Sequence, residues 1–109
     1  MATAARRLCD WLLARVGLRY FWGGTGPKGY DCSGLGYMGY KFLGLTIPRV
    51  AHDQIGAFYK LKAGTPLNTG DAYFFLDGTG HAYHVGWVAW GPTGVCVEAR
   101  GSAYGVRKY

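Results

Sequence analysis

The sequence is short of cysteine, of acidic residues and of long apolar runs, and each shortage excludes something. Its three cysteines, Cys9, Cys32 and Cys96, are too few, and odd in number, for a disulfide framework. None stands in a CxxC pair or beside histidines at zinc-ligand spacing, so neither a metal site nor a cofactor is expected. No stretch approaches the roughly 20 apolar residues of a membrane span. The opening MATAARRLCDWLLARVGLRY is apolar, but Arg6, Arg7, Asp10 and Arg15 interrupt it and leave no uninterrupted core for a secretory signal. If the protein acts outside the cytoplasm, something else must carry or release it. Asp and Glu number 6 against 12 Lys and Arg, a net charge of +6 that favours an anionic partner: nucleic acid, an acidic membrane or a wall polymer. The basic residues are scattered rather than gathered in a stripe, which argues against nucleic acid. There is no repeat, linker or low-complexity segment, and no signal for an oligomeric state.

What is present reads as one domain, residues 1–109, at 50% hydrophobic and 17% charged. The 19 glycines and 17% aromatics point to close backbone packing around large rings. Helical spacing of Leu8, Trp11, Leu12 and Val16 predicts a helix over 3–16, ended by Gly17. YFWGGTGPKGYD is a loop dense in Gly and Pro. A second helix is predicted over 32–43, with Leu35, Met38, Phe42 and Leu43 on its apolar face and Gly44 just past its end. Gly34, Gly36 and Gly39 each cost this helix about 1 kcal/mol relative to Ala. Close packing on a sheet would offset that cost. A short helix is expected within 50–58. DAYFFL (71–76), AYHVGWVAW (82–90) and GVCVEAR (94–100) read as strands, with GVRKY as a last short one. Helices first and strands second give an α+β class with an antiparallel sheet.

The chemistry gathers around GYDCSGLGYMGY. A free cysteine is ordinarily a small buried hydrophobe. Cys32, however, falls at a predicted helix start, where unpaired N–H groups and the helix dipole favour a thiolate. Asp31 is the expected N-cap, and its charge opposes that effect. A cationic partner would help, and the histidines are the candidates. His52 reads as a solvated residue and His81 as a loop residue. His84 sits inside a strand on the face of Gly86 and Val88, either as a functional group or as a core histidine. Glu98 lies on the next strand, either orienting that imidazole or pairing at an edge with Arg100 or a lysine. Parity tests the first option. A three- or five-residue turn at Gly91–Thr93 sets Trp90 opposite Gly94 and Glu98 opposite Gly86, on the His84 face. A four-residue turn sends Glu98 to the other face unless a bulge restores it.

YFWGGTGPKGYDCSGLGY, then IPR with Gln54, LNTGDAYFF, HVGWV and VEARG with GV resemble the NlpC-type cysteine peptidases, papain-like hydrolases of bacterial cell walls. The likeness runs through residues 18–106 in the family's order. It implies a circularly permuted papain-like fold, N-terminal helices packed on a C-terminal antiparallel sheet. It also implies Cys32 as nucleophile, His84 as base and Glu98 in the place of the third polar residue, which the family often fills with His, Asn or Gln. Tyr20 matches the tyrosine whose hydroxyl reaches the site, an oxyanion donor beside the Cys32 N–H. Asp31 and Ser33 match positions lining the substrate's amino side, and Arg49 and Gln54 structural or rim positions. The implied reaction is hydrolysis of peptidoglycan stem peptides between γ-D-glutamate and diaminopimelate or lysine, through a thioester on Cys32. The short chain and its VEARG stretch resemble a phage lysin or tail-associated domain, delivered to the wall by phage or holin. A related acyltransferase or amidase, and a wall-binding module without catalysis, are the rival readings.

Overall fold

In the computed structural model, which describes residues 2–109, Thr3 caps the first helix by accepting the Arg6 N–H at 3.1 Å. That helix, α1 (Ala4–Ala14), buries Leu8, Cys9, Trp11 and Leu12. Val16, expected on the same face, lies past the helix end and is exposed. The chain has already turned by then, and the Gly17 N–H donates to the Val106 carbonyl. The glycine-rich stretch that follows is not wholly loop. It holds β1 (Arg19–Tyr20) and β2 (Gly29–Tyr30), paired in parallel. Strands of two residues are too short to show alternation, so the sequence pattern hides them.

β2 runs through Asp31 into α2 (Cys32–Phe42), with Asp31 as its extended N-cap accepting the Gly34 N–H at 2.6 Å. The helix ends in a Schellman motif: Gly44 N–H to Lys41 O, Leu45 N–H to Tyr40 O, with Gly44 at φ +83°. Its most buried face is made of small residues, Ser33, Gly34, Gly36 and Gly39, together with Leu35; Phe42 is exposed and Met38 only half-buried. The apolar spacing therefore located the helix but not its contact face. α3 (Ala51–Ile55) is shorter than the expected 50–58.

The sheet is antiparallel in the order β3 (Ala72–Leu76), β4 (Ala82–Trp90), β5 (Val95–Ala99), β6 (Val106–Lys108). Val85, Trp87, Ala89, Val97, Ala99 and Val106 join Leu8, Trp11, Leu12 and Leu35 in the core. This is the expected α+β arrangement, helices on one face of the sheet.

Gly36 is where α2 meets that sheet. A Cβ at this position would overlap the Trp87 ring, so glycine is required by the approach itself. Overpacking costs about 1–3 kcal/mol, and helix propensity returns at most about 1 kcal/mol. Gly36→Ala is expected to lower stability by roughly 1–2 kcal/mol, seen as a reduced urea midpoint. Wild-type stability in this variant would show that Trp87 does not hold α2 in this position.

Candidate active site

The site begins at the end of β2, where Asp31 turns the chain and Cys32 becomes the first residue of α2. One hydrogen bond fixes that helix end to β4: the Trp87 indole N–H donates to the Cys32 carbonyl at 3.0 Å. The Val85 N–H of the same strand acts on the thiol by favouring its charged form. Val85 follows His84, so the nucleophile candidate sits beside the histidine's own strand. Cys32 and His84 line one cavity of about 970 Å³.

His84 and Glu98 meet directly: Nε2 lies 2.6 Å from Glu98 Oε1. The parity argument holds by a route that the turn length alone does not give. β4 and β5 are joined by four residues, Gly91–Gly94, a connection that would turn Glu98 away. The register shifts between Val88 and Trp90, however. Val88 pairs with Cys96 and Trp90 with Val95, which leaves Ala89 as the extra residue of a bulge. Trp90 thus faces Val95 rather than Gly94, and Trp87 opposite Val97 carries the pairing onward with Glu98 on the His84 face.

Glu98 is 1% exposed and has three side-chain partners. Oε1 takes His84 Nε2 and Arg100 Nε, the latter at 3.0 Å, and Oε2 takes the Tyr73 hydroxyl. Glu98 therefore meets both the imidazole and Arg100, but as a buried residue of an inner strand and not at an edge. Burial pushes its carboxyl up, but the hydrogen bonds from Arg100, Tyr73 and His84 outweigh burial and hold it below its ordinary value. Burial, reinforced by Glu98, pushes the Tyr73 hydroxyl far up, so Tyr73 donates as a neutral phenol. With Nε2 facing a carboxylate, a neutral His84 keeps its proton there and Nδ1 carries the lone pair.

Tyr73 was not singled out by the sequence, and it fills the space before Gly86. Tyr73 pairs with Gly86 across β3 and β4, and its ring fills the place of a Cβ on the way to Glu98. A strand glycine opposite an aromatic residue was the available signal.

The thiol also departs from expectation. Burial pushes Cys32 up from its ordinary value, and Asp31 adds to that rise. The N–H groups of Val85, Ser33 and Cys32 itself pull it back without reversing the sign. The helix start therefore does not bring the Cys32 thiol below its ordinary value.

Around this centre, Tyr20 lines the cavity, and its hydroxyl is pushed up by burial and then by the neighbouring Cys32 and Asp31. Asp31 is spent on the fold: it accepts from Gly23 N–H, Gly34 N–H and Arg49, the last at 2.9 Å. Ser33 is held between Arg49 Nη1 and Asp31. Gln54 is fully buried and donates to the Ser33 and Pro48 carbonyls, the structural role expected of it. His52 is not simply solvated. Its Nδ1 accepts the Ala82 N–H, and its ring stacks on His81 with centroids 4.2 Å apart. Both rings line the cavity, away from the Glu98 network. Among the described residues, no group of three His, Cys, Asp or Glu is placed to hold a metal ion, and no helix is long and apolar enough to cross a membrane.

Comparison with known proteins gives one consistent result. A sequence model of the NlpC/P60 family matches residues 17–99. The chain is similar to gamma-D-glutamyl-L-lysine dipeptidyl-peptidase of Bacillus subtilis (strain 168), 43% identical over 76 residues, 65% of this chain and 24% of that protein. It is similar to murein DD-endopeptidase MepH of Escherichia coli (strain K12), 42% identical over 83 residues, 69% of this chain and 29% of that protein. The chain thus spans well under half the length of either relative. Among solved structures, an NlpC/P60 family protein from Bacillus cereus ATCC 10987 superposes with a TM-score of 0.87 at 29% identity, over 100% of this chain and 35% of that one.

The depressed Glu98 carboxyl has a consequence for stability. Between its folded value and the higher unfolded one, the unfolded chain binds more protons, so stability rises with pH through that window. The contribution is complete above the ordinary glutamate range and is lost as pH falls through the folded value. Urea midpoints measured at stepped acid pH should therefore fall less steeply for Glu98→Gln than for the wild type. Parallel curves would show that Glu98 is not held as a carboxylate by these partners.

Proposed function

The chain belongs to the NlpC/P60 family, and from that membership we propose that it is a cysteine endopeptidase of bacterial cell-wall peptides. Its substrate in this reading is the peptidoglycan stem, cut between γ-D-glutamate and diaminopimelate or lysine. Residues 1–109 act as one catalytic domain in this reading, in keeping with the core cluster that α1, α2 and the sheet share among the described residues. The observation that carries the reading is that Cys32 and His84 line one cavity while the histidine's Nε2 is committed to a buried carboxylate. A wall-binding module would have no use for that arrangement.

His84 Nδ1 takes the Cys32 proton as the sulfur bonds to the γ-carbonyl carbon of D-glutamate. Oxygen charge develops towards the Tyr20 hydroxyl and the Cys32 N–H. The C–N bond then breaks, and the imidazolium gives its proton to the departing amine, leaving a thioester. Water attacks the thioester and loses a proton to His84, and the C–S bond breaks to release the acid and the thiol. Glu98 holds the ring through Nε2 and stabilises each imidazolium without taking a proton. Asp31, Ser33 and Arg49 build the wall on the acyl side. A phage lysin or tail-associated setting belongs to the same reading and rests on the VEARG stretch.

The test is mass spectrometry of fragments released from purified sacculi. New amino termini on diaminopimelate or lysine support the assigned bond, and cleavage elsewhere in the stem overturns it. Products joined to an added amine or alcohol in place of water would favour the acyltransferase reading. Cys32→Ala and His84→Ala should each lose about 10³-fold or more in release, because the members of such a unit fail together. His81→Ala should stay within a few-fold of wild type. Glu98→Gln, which keeps an acceptor for the ring, should retain more activity than Glu98→Ala. Equal losses from His81→Ala and His84→Ala would remove His84 from the role of base.

A further inference from the structure

Two arginines line the cavity, Arg49 and Arg100, and the structure uses them differently. Arg49 spends both terminal nitrogens inside the fold: Nη1 on Ser33 Oγ, and Nη2 on Asp31 and the Gly24 carbonyl. Arg100 is held instead by its inner edge. Its Nε donates to Glu98 Oε1, the oxygen that also takes His84 Nε2. Its guanidinium lies over the Tyr109 ring, 3.8 Å from the centroid. One edge and one face of the plane are thus fixed. Nη1 and Nη2 have no acceptor among the described residues, and the side chain is 44% exposed. A guanidinium in this state presents a flat pair of donors whose geometry matches a carboxylate.

Resting on the peptidase reading, we infer that Arg100 binds the carboxylate at the end of the leaving half of the cleaved peptide. His84 protonates the departing amine, so the leaving half lies against that ring and continues past it. Arg100 is one carboxylate oxygen removed from the ring. A leaving half of two residues carries its terminal carboxylate about 7 Å from the departing amine, at roughly 3.3–3.6 Å per residue. That length suits a stem peptide ending two residues beyond the cut with a free carboxylate. A stem whose end is joined to a neighbouring strand offers no such group. Arg100 is on this account a specificity residue that selects uncrosslinked stems, and its bond to Glu98 holds its open edge beside the reacting centre.

The probes are L-alanyl-γ-D-glutamyl-L-lysyl-D-alanine and its C-terminal amide, which differ in that carboxylate alone. Binding of both is measured by calorimetry to Cys32→Ala and to Cys32→Ala/Arg100→Gln, and hydrolysis of both is measured with the wild type. Cys32→Ala should bind the acid about ten- to hundred-fold more tightly than the amide, as expected for a charge-assisted pair. Arg100→Gln in that background should bring the ratio close to one, and Arg100→Lys, which keeps the charge without the fork, should retain part of it. A purely structural role, acting through Glu98, would change both affinities together and leave the ratio alone; that result overturns the inference. Wild-type hydrolysis of both peptides with equal kcat/KM also overturns it and leaves the peptidase reading standing. Preferential binding of the acid through Arg100 with hydrolysis of neither peptide supports the carboxylate site and overturns the assigned bond. Thermal midpoints of the two Arg100 variants show that each is folded when the ratios are taken.

Discussion

The contact between Trp87 and the start of α2 is the constraint on which the site depends. The indole lies where a side chain at Gly36 would be, and its N–H takes the Cys32 carbonyl at 3.0 Å. One residue of β4 thereby sets both how close the helix comes and where along the sheet its first residue stands. His84 lies three residues earlier on the same strand, on the opposite face, and the N–H of Val85 between them favours the charged form of the thiol. Cys32 and His84, the nucleophile and base candidates, are thus both positioned by β4 rather than by two loops. The glycines of α2 weaken it as an isolated helix, and they are what allows this approach.

A second condition is the burial of Glu98. An unpaired carboxylate taken out of water is costly, and this one is almost wholly enclosed. Three donors satisfy it, each from a different position in the sheet: Tyr73 from β3, His84 from β4, and Arg100 just past β5. The arrangement is mutual. Tyr73 reaches the carboxylate only because Gly86 has no side chain, and Glu98 faces His84 only because Ala89 is an extra residue in β4. A bulge at Ala89 therefore decides whether Glu98 meets the histidine.

The electrostatics divide the labour. Burial and Asp31 oppose ionisation of Cys32, and the helix-terminal N–H groups do not overcome them. Asp31 is kept because it serves the fold, capping α2 and holding Arg49. In the proposed reaction thiol reactivity belongs to the pair with His84, whose ring Glu98 holds through Nε2. A lone activated cysteine would need no such network.

The order of elements, the α+β class, the start of α2 at Cys32 and the shared face of His84 and Glu98 were legible in the sequence, because each follows from local spacing, residue type or strand parity. Its β-branched and aromatic residues between turn residues placed β4, and Asp31 before a glycine-rich helix marked the N-terminus where the thiol stands. The short parallel pair β1–β2, the bulge at Ala89, the Tyr73 ring over Gly86 and the open edge of Arg100 were decided by tertiary structure. Each depends on what lies across a strand or a helix face, and a one-dimensional pattern does not carry register. The sign of the Cys32 shift was decided there too. The sequence shows the charges near the thiol, but only the folded chain sets how much water it loses.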